Sequence, residues 1–573
     1  MKRQYIYVAV LLILSSFLFF FRLGSVGLME PDEGRNAEVA REIIITGDWV
    51  TPRLDFIRYL DKPIMFFWAS AASMKIFGAS EFSVRLPSAV SALIGIIAVY
   101  LLGWRMFGGR AGLYSALVLA TSPLYLGLGR IVIFDMMLTA FITLALLFWH
   151  QGFNAQYRQR QRLSYLLSWA AMALGVLTKG PIGAIFPMAI IGLFLIITRN
   201  LKRLLEMELI LGPLLFLVIA GPWYVLVSIR NPEYPHYFFV AEHIQRFATS
   251  KFHRMKPFWY YFAIVFGGLL PWIVFLPSAV RRFLQERAFA PTKKKEAVLL
   301  IFIWAFFIFI FFSLSKAKMP MYILPMFPAL ALLIGGFWND YSADKSGRPG
   351  VFVSVFALSL FMLFAGVGLI FMSGYLGTTH EIVDRYGLSA ILPIMRPAGV
   401  AVSLFFTAAV VLLLYRRRDK TLQIAFVIAA SMVVIATVMA GMEINGQRRS
   451  SKMLVHRLMK EARPQDAIVM YECFPTSFLF YHSRQIPVVS DSKALLGSNF
   501  IKKYNLNYRG ATGPSIMDRH EFRSILSDKK RRVYILTDMK DTDMMMKEVE
   551  SFGRPELILA NGKISLWVRR ESW

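Results

Sequence analysis

Residues 350–372 read GVFVSVFALSLFMLFAGVGLIFM, with no charged side chain among them. At a rise of about 1.5 Å per residue, a helix of this length crosses about 30 Å of hydrocarbon, and it offers no polar face to water. The stretch therefore predicts a membrane-spanning helix. Tyr5 to Phe21 repeats the pattern near the N-terminus, and comparable runs recur to about position 442. About thirteen spans are expected on this basis. They lie at roughly 5–24, 84–104, 111–129, 131–152, 164–179, 181–198, 208–229, 259–280, 297–314, 320–338, 350–374, 390–415 and 421–442. Lys179-Gly180-Pro181 divides one long apolar region into two of these. Met1-Lys2-Arg3 and the apolar stretch after it resemble a signal peptide. Phe19-Phe20-Phe21-Arg22 offers no small-residue cleavage site, so a retained first helix is expected.

Of the 573 residues, 56% are hydrophobic and 17% charged, against about a quarter charged in soluble domains. Lys and Arg number 64 and Asp and Glu 36, a net charge of +28. The excess does not indicate nucleic acid, because the basic residues sit at the ends of apolar runs and no nucleic-acid motif accompanies them. With the N-terminus cytoplasmic, one face collects Lys2-Arg3, Arg105 and Arg110, Arg158 to Arg162, Arg199 to Arg203, Arg281 to Lys295, Lys345 and Arg348, and Arg416 to Lys420. Loops 25–83 and 230–258 then lie outside, with the tail 443–573. In that tail the apolar runs shorten, as in Ala467 to Tyr471, Ile486 to Val489 and Val533 to Thr537, and alternate with helical patterns such as Ser451 to Glu461. The expected organisation is a membrane domain, 1–442, and a small α/β domain, 443–573, acting as a lid or packing cap. Cys473 is the single cysteine, which excludes an intrachain disulfide and a Cys-based metal site.

The first outer loop concentrates acidic residues in Met29-Glu30-Pro31-Asp32-Glu33-Gly34-Arg35-Asn36-Ala37-Glu38 and continues to Tyr59-Leu60-Asp61-Lys62-Pro63. Carboxylates directly after a spanning helix must be solvated or engaged. Ala37 to Ile45 is amphipathic and predicts an interfacial helix, and Phe66 to Phe77 a second. Asp135, at the outer end of an apolar run, needs a cation, a donor or a water-filled cavity. Arg130 is one available partner, and a polar cavity facing the first loop is the other reading. Lys179, Lys316 and Lys318 lie outside by the topology above, where they can meet anionic phosphate or snorkel to headgroups. In the second outer loop His236, Glu242 and His243 are possible ligands of a divalent metal, without a strong zinc spacing, and Arg246 is a phosphate candidate. No Gly-rich phosphate loop is present for a soluble nucleotide donor. A lipid-phosphate substrate, its tail in the bilayer and its phosphate at outer cations, accounts better for the arrangement.

At these motifs the chain resembles the bacterial aminoarabinose transferases of the protein-mannosyltransferase-like GT-C superfamily. The resemblance rests on Pro31-Asp32-Glu33-Gly34-Arg35, Gly47-Asp48-Trp49, Arg58 to Pro63, Arg85-Leu86-Pro87, Thr178-Lys179-Gly180, Glu242 to Phe247, Pro257 to Tyr261, Leu270-Pro271-Trp272 and Ser313 to Tyr322. It implies an α-helical polytopic GT-C fold of about thirteen spans with a periplasmic α/β domain. The implied activity is transfer of a sugar from an undecaprenyl-phosphate carrier to an envelope acceptor, lipid A phosphate in the aminoarabinose enzymes, at the outer face of the bacterial inner membrane. Asp32 matches the catalytic aspartate and Asp135 a second acid. Arg35, Tyr59, Lys62, Arg246 and Tyr322 match positions that hold the carrier phosphate or line its cavity, with Lys179 and Lys316 as further phosphate candidates. Asp61 stands where relatives carry a metal-binding Glu, with His243 as companion ligand, so a divalent metal (Zn, Mg or Mn) is left open. Three competing readings are a protein O-glycosyltransferase using the same carrier, a lipid-linked sugar transporter and a non-enzymatic envelope scaffold. Ionisable residues gathered at one face and the lack of a visible repeat disfavour the transporter, and the first-loop carboxylates disfavour the scaffold.

Overall fold

The computed structural model describes residues 2–239, 256–286, 292–343, 349–378, 392–417, 419–490, 498, 500, 509–510, 513–514 and 516–570. These residues form two compact units. One comprises Met1–Phe21, Ser88–Pro222 and Arg246–Gly441, and the other Arg22–Pro87, Trp223–Gln245 and Met442–Trp573.

Apolar length dictates helix in the first unit, because hydrocarbon cannot satisfy backbone N–H and C=O groups. Among the described residues, eight helices are long and apolar enough to cross a membrane. A ninth span is counted if Tyr260–Gly268 and Trp272–Arg282, bent by 105°, are taken together. The other expected segments are helical too, but shorter, broken or more charged. Lys2–Phe20 and Ile182–Ile197 are short, and Arg158–Lys179 opens on three arginines. Residues 111–129 divide into Gly109–Ala120 and Pro123–Leu128, because Pro123 cannot donate to the preceding turn. Helices come closest where side chains vanish. A Cβ on Gly175 would lie 3.1 Å from Gly183 Cα, so Arg158–Lys179 and Ile182–Ile197 meet backbone to backbone across the turn at Gly180.

The second unit contains a six-stranded sheet. A hairpin of β1 (Arg53–Leu54) and β2 (Ile57–Arg58) precedes it in the chain. The sheet strands are β3 (Ala467–Tyr471), β4 (Val488–Val489), β7 (Ile516–Met517), β8 (Val533–Asp538), β9 (Glu556–Asn561) and β10 (Ile564–Arg569). A small separate pair, β5 (Arg509–Gly510) and β6 (Gly513–Pro514), lies between β4 and β7 in sequence. The sheet order is β7-β4-β3-β8-β10-β9, parallel from β7 to β8 and antiparallel beyond. Period-two alternation sends successive residues to two cores. Met470, Tyr534 and Leu536 pack with Leu454, Leu458 and Phe478 on one face, while Val469, Tyr471 and Ile535 pack with Phe522, Leu526 and Val549 on the other. The short apolar runs of the tail are therefore strands buried on both sides, and Ser451 to Glu461 is the helix Lys452–Glu461.

Both helices expected in the first outer loop form, as Asp32–Thr46 and Met65–Phe77. The Asp32 helix differs from a half-exposed amphipath, since Glu33, Glu38, Arg41 and Glu42 on its polar side are buried as well. Each of these side chains has a protein partner in place of water. Glu33 pairs with Arg85, Glu38 holds Arg41 through two contacts of 2.6 Å, and Glu42 accepts from Phe56 N at 2.9 Å.

Candidate active site

The second unit holds the first-loop candidates. Asp32 opens its helix directly after Pro31, where the positive helix end favours a carboxylate. It remains 38% exposed and pairs with Arg35 one turn on. Burial alone would ease the proton off Arg35. Tyr59, Asp32 and Asp61 around it outweigh that effect, and the guanidinium pKa is raised. Tyr59 is buried edge-on against Phe67, and Lys62 is half-buried. The structure thus gathers Asp32, Tyr59 and Asp61 around the Arg35 guanidinium.

Asp61 behaves as an acceptor hub. Its Oδ1 receives Tyr237 Oη at 2.6 Å, Phe500 N at 3.0 Å and Ser498 Oγ at 3.1 Å. That one oxygen thus points its lone pairs at hydrogens. Among the described residues, no three His, Cys, Asp or Glu side chains assemble as metal ligands. The expected companion of Asp61 in metal binding, His243, lies outside the described residues, as do Glu242 and Arg246. His236 is exposed.

The first unit holds a second constellation. Ile133 is extended and Asp135 lies in the first turn of Phe134–Phe153, while Lys179 ends Arg158–Lys179. Helix dipoles favour a carboxylate at the one position and a cation at the other. The two side chains form an ion pair, 5% and 10% exposed, and the Lys179 ammonium stands 4.5 Å from the centre of the Tyr322 ring. Asp135 thus has its cation, and it is Lys179. Arg130 instead donates to Leu18 O at 2.6 Å and Phe21 O at 2.7 Å. Sequence proximity misled here, because residues 129–133 turn the chain between the two side chains. Lys318 donates to Ser315 O at 2.5 Å, and Lys316 is exposed.

Three residues outside the sequence-derived site brace the Asp32 segment. Arg85 holds Glu33 and also donates to Val26 O at 2.6 Å and to Leu23 O and Gly27 O at 3.1 Å. Glu30 accepts from Thr476 and Ser477, and Gly34 packs directly on Ser477. Arg85-Leu86-Pro87 was visible as a motif, but Thr476 and Ser477, the partners of the Glu30 carboxylate, are more than 440 positions away and no local pattern marks them.

Comparison with known proteins adds the chemistry class. Residues 61–226 match the family model of dolichyl-phosphate-mannose-protein mannosyltransferases. An undecaprenyl phosphate-alpha-4-amino-4-deoxy-L-arabinose arabinosyl transferase of Erwinia tasmaniensis is 29% identical over 549 residues, 94% of each chain. Its namesake in Aeromonas salmonicida is 35% identical over 325 residues, 56% of this chain and 58% of that one. The crystal structure of ArnT from Cupriavidus metallidurans bound to undecaprenyl phosphate superposes with a TM-score of 0.81 at 25% identity, covering 99% of this chain and 98% of that one. This chain is a membrane glycosyltransferase, and it is similar to the aminoarabinose transferases. Its helical architecture, with a small C-terminal sheet domain, matches that of the ArnT crystal structure. The glycosyltransferase thus carries its acidic and cationic candidates in two sets, Asp32–Arg35–Tyr59–Asp61 in one unit and Asp135–Lys179–Tyr322 in the other.

Proposed function

We propose that this glycosyltransferase moves 4-amino-4-deoxyarabinose from an undecaprenyl-phosphate carrier to a phosphate of lipid A, at the periplasmic face of the bacterial inner membrane. The observation that carries the proposal is the likeness, along 99% of the chain, to an enzyme crystallised with undecaprenyl phosphate. The Lys and Arg distribution supports a cytoplasmic N-terminus and a periplasmic domain 443–573.

In the proposed reaction an ionised oxygen of the acceptor phosphate attacks the anomeric carbon. The new C–O bond forms as the bond to the carrier phosphate breaks, with inversion, and undecaprenyl phosphate leaves with the electron pair. Its negative charge requires cations, and the proposed donors are Arg35 and Lys62 in one unit, or Lys179 and Arg246, with Tyr322 lining the carrier's cavity, in the other. Asp32 is proposed to orient the acceptor and stabilise positive charge developing on the sugar. With a hydroxyl acceptor it would serve as general base. Asp135 keeps the Lys179 ammonium fixed in place. Asp61 is assigned the support of Tyr237, Ser498 and Phe500.

A second reading, protein O-glycosylation from the same type of carrier, is favoured by the family-model match over 61–226. Purified protein given labelled carrier-sugar with either lipid A or an acceptor peptide separates the two. Label on lipid A alone supports the first, and label on peptide alone overturns it. In the same assay Asp32→Asn should abolish transfer while the protein still folds and inserts. Near-normal turnover would remove Asp32 from the mechanism.

A further inference from the structure

The C-terminal sheet leaves β3 on one side, toward β4 and β7, and returns on the other to β8. The β3–β8 boundary is therefore a topological switch point, and in open α/β sheets the crevice at the carboxyl ends of such strands is where ligands sit, often an anion on a helix N-terminus. In this chain the anion is supplied internally. The Glu30 carboxylate accepts from Thr476 N at 3.0 Å, Thr476 Oγ1 at 2.8 Å and Ser477 N at 2.6 Å, at the start of the helix Thr476–His482 that follows β3. The main chain around Glu30 is held as well. Glu30 N donates to Arg449 O at 2.8 Å, Arg449 Nη2 donates to Glu30 O at 2.5 Å, and Thr476 Oγ1 lies 2.9 Å from Pro31 O. A Cβ on Gly34 would lie 2.6 Å from Ser477 Cα, so the first turn of the Asp32 helix sits directly on this socket.

Asp32 follows Glu30 by two positions, so the socket fixes where that helix begins. We infer that Glu30 is a positioning residue for Asp32, and that the C-terminal domain takes part in catalysis by seating Glu30 in its switch-point crevice rather than by binding a ligand there. The inference rests on the proposed role of Asp32. A carboxylate with three donors is difficult to replace. An alanine leaves the N–H groups of Thr476 and Ser477 unpaired, and a glutamine turns its amide toward one of them. The start of the Asp32 helix then loses its tether, and misplacement of a reacting group by about 1 Å can cost about 100-fold in rate.

The test uses the full-length protein in detergent, with labelled carrier-sugar and lipid A. Glu30→Ala is expected to lower kcat about 100-fold with KM for the carrier unchanged, and formate, entering the vacated socket, should restore a substantial part of kcat. Glu30→Gln, which keeps the side-chain volume, should show the same split of kcat from KM, and it carries the comparison where the alanine variant does not fold. An unchanged kcat per folded molecule, a rise confined to KM, or a loss in Glu30→Ala that formate leaves in place overturns the inference. Asp32→Asn run in parallel keeps the two ideas separate. Activity retained there removes the reading of Asp32, whereas an inactive Asp32→Asn beside a fully active Glu30→Gln removes only the role of Glu30.

Discussion

Glu33 and Arg85 lie 52 positions apart and meet through two hydrogen bonds of 2.8 Å, each side chain 3% exposed. The remaining Arg85 donors close on the carbonyls of Leu23, Val26 and Gly27. One guanidinium thus fastens the Asp32 helix to the chain that leads into it. Breaking a buried pair by removing one partner costs about 3–5 kcal/mol, because the other charge is left buried and alone. Arg85→Ala is expected to lower the melting temperature sharply and to reduce transfer. Glu33→Leu with Arg85→Met should recover only part of the stability, since the three carbonyls stay unpaired. Thermal melts of the purified variants measure both effects, and full recovery in the double variant would show that the carbonyl contacts contribute nothing.

The Asp135–Lys179 pair allows a sharper separation of stability from activity. Lys179→Met leaves a buried carboxylate with no cation and should destabilise by about 3–5 kcal/mol. Asp135→Asn with Lys179→Met removes both charges and should recover the folded yield. Turnover in the double variant should stay at least about 100-fold down, in line with the loss of a donor to developing charge. If turnover returned with stability, the pair would be structural only.

At Asp61 the distinction is between an acceptor and a metal ligand. Asp61→Asn keeps Oδ1 as an acceptor for Tyr237, Ser498 and Phe500 N, while Asp61→Ala orphans all three. A buried donor left without a partner costs about 1–3 kcal/mol. The alanine variant should therefore melt well below the asparagine variant, and neither should respond to added zinc, magnesium or chelator. Chelator-sensitive stability in the wild type that disappears in Asp61→Asn would assign the metal role to Asp61 after all.

Much of this architecture was legible in sequence because lipid imposes it. A run such as Gly350 to Met372 has one structural solution, and Val533 to Thr537 reads as a buried strand because both of its faces are apolar. Asp32 and Asp135 stood out because a carboxylate beside an apolar run requires a reason. The partners did not follow. Arg130 was the nearest cation to Asp135 along the chain, yet it is drawn to the carbonyls of Leu18 and Phe21, and the ammonium comes from Lys179, 44 positions on. The burial of the polar side of Asp32–Thr46 was hidden for the same reason, since amphipathicity records that one side is polar but not whether water or protein faces it. Glu30 and Thr476 lie 446 positions apart, and no periodicity links them.

That buried polar side has a consequence for pH. Burial, with Glu38 and then Asp55 nearby, holds the Glu42 carboxyl well above its ordinary value of 4.5, and Arg41 offsets this only in part. Burial followed by Glu38 raises Asp55 well above 3.8 in the same way. Each group binds its proton more tightly in the folded chain than in the unfolded one. Their contribution to stability is therefore fully present below the unfolded values and is lost as pH rises through the folded ones. His482, lowered from 6.5 by burial and by Arg484, acts in the opposite sense, favouring the fold as pH rises through the range below that value. Melting temperature is expected to decline as pH rises across the raised carboxyl range, and Glu42→Gln with Asp55→Asn should flatten that decline and be the more stable form at alkaline pH. A melting series with matched slopes in the wild type and the double variant would mean that both carboxyls titrate normally in the fold.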